Sequence, residues 1–415
     1  MAELIVELYG IPIGRLVRRE RQTFDFVTDS TAFEHFSLGS TVLSESVPLN
    51  VVQNPSHAAR RRNFFAELLP EGQILRDLAD IIRVDTSDVI PLLAHYGRDV
   101  AGALQIYDPS APGEPRTPHV TRLSVKEIHT LLTTTKKRPL GNDPVSGKTS
   151  LAGVQDKIVL ALINNQWHQV HNGYPSTHIV KPESSQLPTI IFDEEYGARI
   201  ARALQLTSYA TFLEDFDGLF GLVIERFDRT RDIPPLRIHQ EDMNQALGAR
   251  GNQKYQENGG KVSLKSVAGV FTKNEDNESL VALLKLTTVS VAIGNVDLHA
   301  KNISILHLAH GDSKITPVYD VVPLIHQSAS EKRMALAING KYPHALISAG
   351  DLVEEAKAWG SWGMKDPLTI VKETLEAIRD FVEVEHPHPR AYEHLNLEIS
   401  QFVRNLLKGD PAGHA

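Results

Sequence analysis

The sequence predicts an α+β protein of more than one folding unit, strand-rich in its first half and mostly helical in its second. Three observations carry this. At 415 residues the chain is longer than one core ordinarily holds. Strand-like alternation opens it in Met-Ala-Glu-Leu-Ile-Val-Glu-Leu-Tyr9 and returns in short apolar runs up to Phe227. Beyond residue 240 apolar residues recur at helical spacing, in the long segment Leu280, Leu283, Leu284 and Leu286 to Ile293 and again from Leu368 to Val382.

Composition narrows the class. Hydrophobic residues make up 41% and charged residues 23%, ordinary values for a water-soluble chain, and no apolar run approaches the ~18 residues that span a bilayer. No membrane association is expected. The N-terminus lacks the basic and long apolar regions of a signal peptide, which points to the cytoplasm. The absence of cysteine removes disulfides, thiolate metal sites and cysteine nucleophiles. A net charge of -8 and a pI near 6.1 argue against a surface coated for nucleic acid. The clusters Arg18-Arg-Glu-Arg21 and Arg60-Arg-Arg62 read as solvated faces.

The first unit, to about residue 108, alternates through Phe24-Asp-Phe26 and then turns helical at Phe64, Phe65, Leu68, Leu69, Ile74 and Leu78. The four prolines and one glycine of Asp108 to Pro118 read as a domain boundary. The polar stretch Lys136 to Lys148 reads as a mobile loop. Ile158 to Ile163, Asn164-Asn165 and Trp167 to Val170 form a hairpin signature, and His178 to Pro182 is a further strand. Asp193 is read as the N-cap of a helix whose Tyr196, Ile200 and Leu204 share a face. Gly221 to Phe227 is a buried strand running into a connector, and the tail from Gly409 reads as disordered.

Within Gly294-Asn-Val-Asp-Leu-His-Ala-Lys-Asn302, a carboxylate and a carboxamide stand five positions apart, as in the catalytic loops of protein kinases and aminoglycoside-type kinases. Phosphoryl transfer needs a carboxylate to accept the proton of the attacking hydroxyl and an amide oxygen to hold magnesium on the nucleotide phosphates. Asp297 and Asn302 suit these roles, and His299 and Lys301 of the same run are counted with the nucleotide-binding residues. Reading Asp297 and His299 as a transition-metal pair is disfavoured, because no further histidine or carboxylate lies nearby in sequence. Asp320, after the apolar approach of Ile315 to Tyr319, takes the place of a second metal ligand, although valines follow it where kinases have phenylalanine and glycine. Lys181 at a strand end is the candidate phosphate-binding lysine. Glu195 is the acid chosen to orient it, with Glu194 and Asp193 as competitors. No G-x-G-x-x-G is present; backbone amides of Ala152, Gly153, Val154 and Gln155 are the candidate phosphate cradle, with Lys157 beside them.

Several motifs together resemble the HipA family over almost the whole chain: Ser150-Leu-Ala-Gly-Val-Gln-Asp-Lys157, His178-Ile-Val-Lys181-Pro, Glu225-Arg-Phe-Asp-Arg229, Gln240-Glu-Asp-Met243, Gly294 to Asn302 and Tyr319-Asp-Val-Val322. Phe64 to Gly72 and Tyr96 to Leu104 match its N-terminal part. The resemblance implies a protein-kinase-like bilobal fold with an additional N-terminal α+β subdomain. Its parts would be 1–108 for that subdomain, 119–229 for the N-lobe and 230–415 for a mostly helical C-lobe. It implies a serine/threonine kinase using ATP and Mg2+ to phosphorylate a translation component, an aminoacyl-tRNA synthetase in the best-known members. A small helix-turn-helix antitoxin of the HipB kind would restrain it, and DNA would be met mainly through that partner. The family makes Asp297 the catalytic base, Asn302 and Asp320 the metal ligands, Lys181 the phosphate-binding lysine, and Glu225 with Phe227 the adenine-binding connector. Ser150 falls where these kinases phosphorylate themselves. A small-molecule kinase of the aminoglycoside type would lack the Ser150 loop and the N-terminal unit. A catalytically silent co-repressor is opposed by the presence of every ligand and base that transfer requires.

Overall fold

Alternating burial in Glu3–Leu8 (β1), with Leu4, Val6 and Leu8 inside, makes one face of a sheet, and Tyr9 and Gly10, both at positive φ, turn the chain back into Ile11–Arg18 (β2). The structure, a computed structural model, describes residues 3–19, 23–308, 312–327, 331–360 and 366–413. These divide into two compact units: Met1–Pro182 with Glu214–Gly251 and Leu306–Ser313, and Glu183–Leu213 with Asn252–Ile305 and Lys314–Ala415.

In the first unit, Phe24–Thr28 (β3) and Leu104–Tyr107 (β4) complete an antiparallel sheet of order β3-β2-β1-β4. Ala32–His35 (α1), Ala58–Ala66 (α2), Gly72–Ile82 (α3) and Val89–Tyr96 (α4) follow β3. Phe26, Phe64, Phe65, Leu78 and Leu92 share its core, with Phe26 and Phe65 ring centroids 5.3 Å apart. Within Arg60–Arg62, Arg61 is buried: its Nε and Nη2 donate to Asp25 at 2.6 and 2.9 Å. The reading of that cluster as a solvated face therefore fails at its middle residue, because a carboxylate on β3 meets the fork. In the other basic cluster Arg18 donates to Asp88, and Glu20 and Arg21 lie outside the described residues.

His119–Arg122 (β5), Val125–Thr133 (α5), Ile158–Ile163 (β6), Gln166–His171 (β7), His178–Pro182 (β8) and Phe220–Glu225 (β10) build the second sheet. Thr211–Asp215 (β9), where the chain crosses between units, is its last strand, and the order is β5-β7-β6-β8-β10-β9. Asn164 and Asn165 take positive φ at the β6–β7 turn, the conformation asparagine tolerates best after glycine. The segment 136–148, expected to be mobile, is instead tied down. Gln169 Nε2 donates to Gly141 O at 2.8 Å, Asn172 N to Ser146 O at 2.8 Å, and Asp143 caps its own turn. Asn142, Asp143 and Ser146 serve its turns, while Lys136, Lys137 and Arg138 face solvent.

Two histidines in this unit are buried neutral. His239, in His239–Asp242 (β11), donates from Nε2 to Leu43 O at 2.8 Å and accepts the Ala103 N–H at Nδ1; burial pushes its imidazole down to about 3. Burial also takes His178 on β8 down to about 4. Both groups stay neutral in the fold while their unfolded counterparts protonate near pH 6.5. Stability is therefore expected to fall as pH drops below 6.5, by roughly 2 kcal/mol for each histidine by pH 5. Denaturant midpoints at pH 7 and pH 5 check this, and His239→Gln should flatten the dependence.

The second unit is mostly helical: Ile190–Ala203 (α6), Leu264–Lys273 (α7), Asn277–Ile293 (α8), Ala349–Lys357 (α9), Pro367–Val384 (α10) and Leu395–Lys408 (α11). Asp276 caps α8, accepting from Ser279 N at 3.0 Å, and the second half of this helix is buried all round. It ends at Gly294, whose φ of +72° suits the left-handed cap and whose missing Cβ leaves room for Ile325. Asp193 is not the cap of α6; the helix begins four residues earlier, after Thr189, and Asp193 lies buried inside it. The tail expected to be disordered packs through Ala412, whose N donates to Ile347 O while Asn405 Nδ2 donates to its carbonyl; its last two residues lie outside the described set.

Candidate active site

In the second unit, α8 delivers the chain through Gly294 into a tight loop. Asp297 N donates to Asn295 Oδ1, His299 N to Asp297 O at 2.7 Å, and Ala300–Asn302 forms one 3-10 turn. Asn302 Nδ2 donates to Asp297 O at 3.0 Å. A carbonyl can only accept, so this bond fixes the amide orientation and leaves Oδ1 as the group available to a cation. The Asp297 carboxylate lies 3.9 Å from His299 Nε2 and its side chain is 43% exposed, whereas His299, Lys301 and Asn302 are buried. Edge-on contact with Tyr255 steadies the His299 ring, at 5.3 Å between centroids.

The Asp320 loop joins this turn through three bonds. Asn295 Nδ2 reaches Asp320 O at 3.4 Å, and Tyr319 OH bonds both Ser304 Oγ and Lys301 O, at 2.6 and 2.7 Å. Asp320 itself stands at φ +57°, a conformation that persists in a non-glycine residue only when its surroundings impose it. Hard oxygen donors, Asn302 Oδ1 and the Asp320 carboxylate, thus sit on two loops bonded to each other, a donor set that suits Mg2+. Among the described residues no group of three or more His, Cys, Asp or Glu is arranged to hold a metal ion alone.

Glu195 fares differently. Its carboxylate is engaged by Arg199 at 3.0 Å, one turn along α6. Asp193 is also taken, by Thr189, His326 and the Tyr392 N–H. Glu194 between them is buried as well, 3% exposed. Successive residues of a helix point about 100° apart, so the sequence Asp193-Glu-Glu195 alone does not say which of the three acids turns inward.

In the first unit, Lys181 is buried on β8, paired with Leu222 of β10, and Glu225 is the last residue of β10, its carboxylate held by Arg231 at 3.0 Å. Phe227 follows, half-buried. Ser150 has no exposure: its Oγ donates to Leu68 O at 2.9 Å and its N to Asp99 O at 3.0 Å. The next residues form an irregular loop in which Gly153 takes φ +110° and accepts from Glu71 N, and Lys157 Nζ bonds Ala152 O at 3.3 Å. Val154 at the tip is exposed and Gln155 half-buried. Lys157 therefore braces the loop from inside.

Sequence reasoning missed the charges beneath this loop. Asp99 accepts from Arg229 Nη2 at 2.9 Å and Ser176 Oγ at 2.6 Å; Asp228 accepts from Arg226 Nε and Nη2, both at 2.9 Å, and from Gly102 N. Despite complete burial, the two arginines hold both carboxyls below the usual carboxylate range. The only signal was four charges in Glu225-Arg-Phe-Asp-Arg229 directly after an apolar strand.

Comparison with known proteins places the chain in a family. Residues 149–384 match the HipA-like C-terminal domain and residues 4–107 the HipA N-terminal domain. The chain belongs to the HipA family of kinases. It is 32% identical over 327 residues to Y4mE, a kinase candidate of Sinorhizobium fredii, covering 77% of each chain. It is 26% identical over 367 residues to the serine/threonine-protein kinase toxin HipA of Shewanella oneidensis, covering 84% of this chain and 81% of that one. Among solved structures, HipA from the Shewanella oneidensis MR-1 complex of HipA, HipB and operator DNA superposes with a TM-score of 0.76, at 24% identity, over 98% of this chain and 96% of that one. The α+β fold read from the sequence, with an N-terminal part added to a kinase-like chain, is thus the HipA fold. No helix among the described residues is long and apolar enough to cross a membrane.

Proposed function

We propose that this HipA-family chain is a serine/threonine kinase toxin that transfers the γ-phosphate of ATP to a protein of the translation machinery, with an aminoacyl-tRNA synthetase as the acceptor class. The observation that carries the reading is the bonded pair of loops in which Asp297, Asn302 and Asp320 lie. In this reading Asp297 accepts the proton of the attacking serine or threonine hydroxyl. Lys181 holds the α and β phosphates, and amides of Ala152 to Gln155, with Lys157, cradle the nucleotide beside Glu225 and Phe227. His299 and Lys301 add to the nucleotide contacts. Asn302 Oδ1 and the Asp320 carboxylate are the groups to hold Mg2+, which when bound supplies charge neutralisation at the transferring phosphoryl group. The experiment is γ-labelled ATP incubated with host lysate. Wild type should label a discrete protein and Asp297→Ala should not; labelling by both, or by neither, defeats the reading.

The restraining partner in this reading is a small helix-turn-helix antitoxin, through which the toxin meets DNA. The support is the fold shared with a HipA whose solved structure contains HipB and operator DNA. Self-inactivation is assigned to Ser150. Its hydroxyl lies buried and donates to the Leu68 carbonyl, an acceptor that has no hydrogen to give to a phosphate dianion. Adding a phosphate there places about two negative charges against a carbonyl oxygen, so the loop from Ser150 to Gln155 has to leave its seat. ATP affinity of the purified Ser150 phosphoprotein is expected to fall about tenfold or more relative to Ser150→Ala. Equal affinities of the two in a nucleotide titration refute the switch.

A further inference from the structure

Asp320 owes its unfavourable backbone conformation to something, and the bonds upstream of it, from Asn295 and Tyr319, account for one side only. Downstream, two residues on one face of α6 meet the segment that follows. At Gly197 an added Cβ would stand 1.9 Å from the Val321 carbonyl oxygen, so helix and metal loop touch backbone to backbone. One turn earlier, Asp193 Oδ2 lies 3.2 Å from His326 Nε2. Between these anchors Leu324 N and Ile325 N both donate to Gly294 O, at 3.0 and 3.1 Å.

Asp193 is unlike a capping or surface acid. It has no exposure, and its carboxylate accepts from Thr189 Oγ1 at 2.6 Å and from Tyr392 N at 2.8 Å, while His326 Nε2 approaches it to 3.2 Å and lies 2.9 Å from the Gln327 side-chain amide. A buried carboxylate is tolerated only when its lone pairs are filled, and here the two donors and the His326 ring come from different segments. The His326 ring lies flat on Tyr392, with 4.1 Å between centroids and 3° between planes, which holds the plane of the ring beside Asp193. None of these residues has a role in the transfer chemistry assigned above.

We propose that Asp193 and His326 are positioning residues for metal binding: together with the Gly197 contact they clamp residues 321–326 to α6 and so hold the Asp320 carboxylate where it takes the cation. The proposal rests on the assignment of Asp320 as a metal ligand. It makes α6 and the metal loop one rigid piece, so the helix that carries Glu194 and the loop that carries Asp320 move together.

The test uses Mn2+ as probe, titrated calorimetrically into the full-length protein saturated with a non-hydrolysable ATP analogue, alongside thermal melting. His326→Phe keeps the ring stack and removes the polar nitrogen that meets Asp193; His326→Gln keeps a polar group there. Outer-shell groups of this kind are worth about 10–100-fold in metal affinity. His326→Phe is expected to weaken Mn2+ binding about tenfold or more and His326→Gln to recover most of it, with analogue affinity measured in EDTA unchanged for both. Wild-type Mn2+ affinity in a folded His326→Phe overturns the proposal, as does a drop in melting temperature with Mn2+ affinity intact. If His326→Phe does not fold, His326→Gln decides: Mn2+ affinity within twofold of wild type supports the clamp, and a loss equal to that of Asp320→Ala overturns it. Failure of the wild type itself to bind Mn2+ with the analogue would instead defeat the Asp320 assignment.

Discussion

Asp297→Ala is expected to lower phosphoryl transfer by about 10³-fold while moving the melting temperature by no more than a few degrees. The two halves of this result have separate causes. The links that shape the turn, from Asn302 Nδ2 and His299 N to the Asp297 carbonyl and from Asp297 N to Asn295 Oδ1, all use backbone atoms of residue 297 that alanine retains. The carboxylate itself is 43% exposed beside His299, and a half-exposed charge at 3.9 Å contributes at most about 1 kcal/mol to folding. Removing the proton acceptor, by contrast, deprives the acceptor hydroxyl of general base catalysis, an effect of 10²–10⁴. Initial rates with γ-labelled ATP, set beside a melting curve, check both halves. A folded Asp297→Ala that keeps more than about a tenth of the wild-type rate removes Asp297 from the role of base.

The parts of the site that sequence conveyed are local ones. A carboxylate and an amide five residues apart need only one turn of chain to come together, and Asn302 does bond back to Asp297. The β6–β7 hairpin was equally legible, because Asn-Asn between apolar runs states both the turn and the register. Long-range chemistry was not legible. Asp193 looked like a cap because an acid preceded a helical pattern, but its partners His326 and Tyr392 lie more than 130 residues away and nothing local announces them. The stretch 136–148 looked mobile because it is polar, yet its polar groups are answered by Gln169 and Asn172 on and after β7. Burial of charge is the common element. A sequence shows that Arg226, Asp228 and Arg229 are charged, but only the fold shows that Asp99 arrives to balance them.

That balance makes Asp99→Ala the substitution with the largest expected effect on stability, a loss of about 3–5 kcal/mol. Asp99, Asp228, Arg226 and Arg229 have side chains only 1–3% exposed and carry two charges of each sign. Deleting one carboxylate leaves an uncompensated guanidinium in a place that water does not reach, and it also orphans the Ser176 hydroxyl, which donates to Asp99 Oδ2. Loss of the charge should be worse than loss of the contact, so Asp99→Asn is expected to recover little of the deficit. In the double variant Asp99→Ala/Arg229→Met the cluster returns to equal charge, and the total loss should be smaller than the sum of the single losses by more than 1 kcal/mol. Urea unfolding of the four proteins measures this coupling, and strict additivity would show that the two residues act independently. The consequence reaches the nucleotide loop. Asp99 O accepts from Ser150 N and Asp99 Oδ2 from Thr149 Oγ1, so the residue that closes the charge cluster also seats the first residues of the loop. A stabilised background carrying Asp99→Ala should therefore bind ATP more weakly than the same background with Asp99 intact, since alanine keeps the backbone acceptor but no longer anchors it.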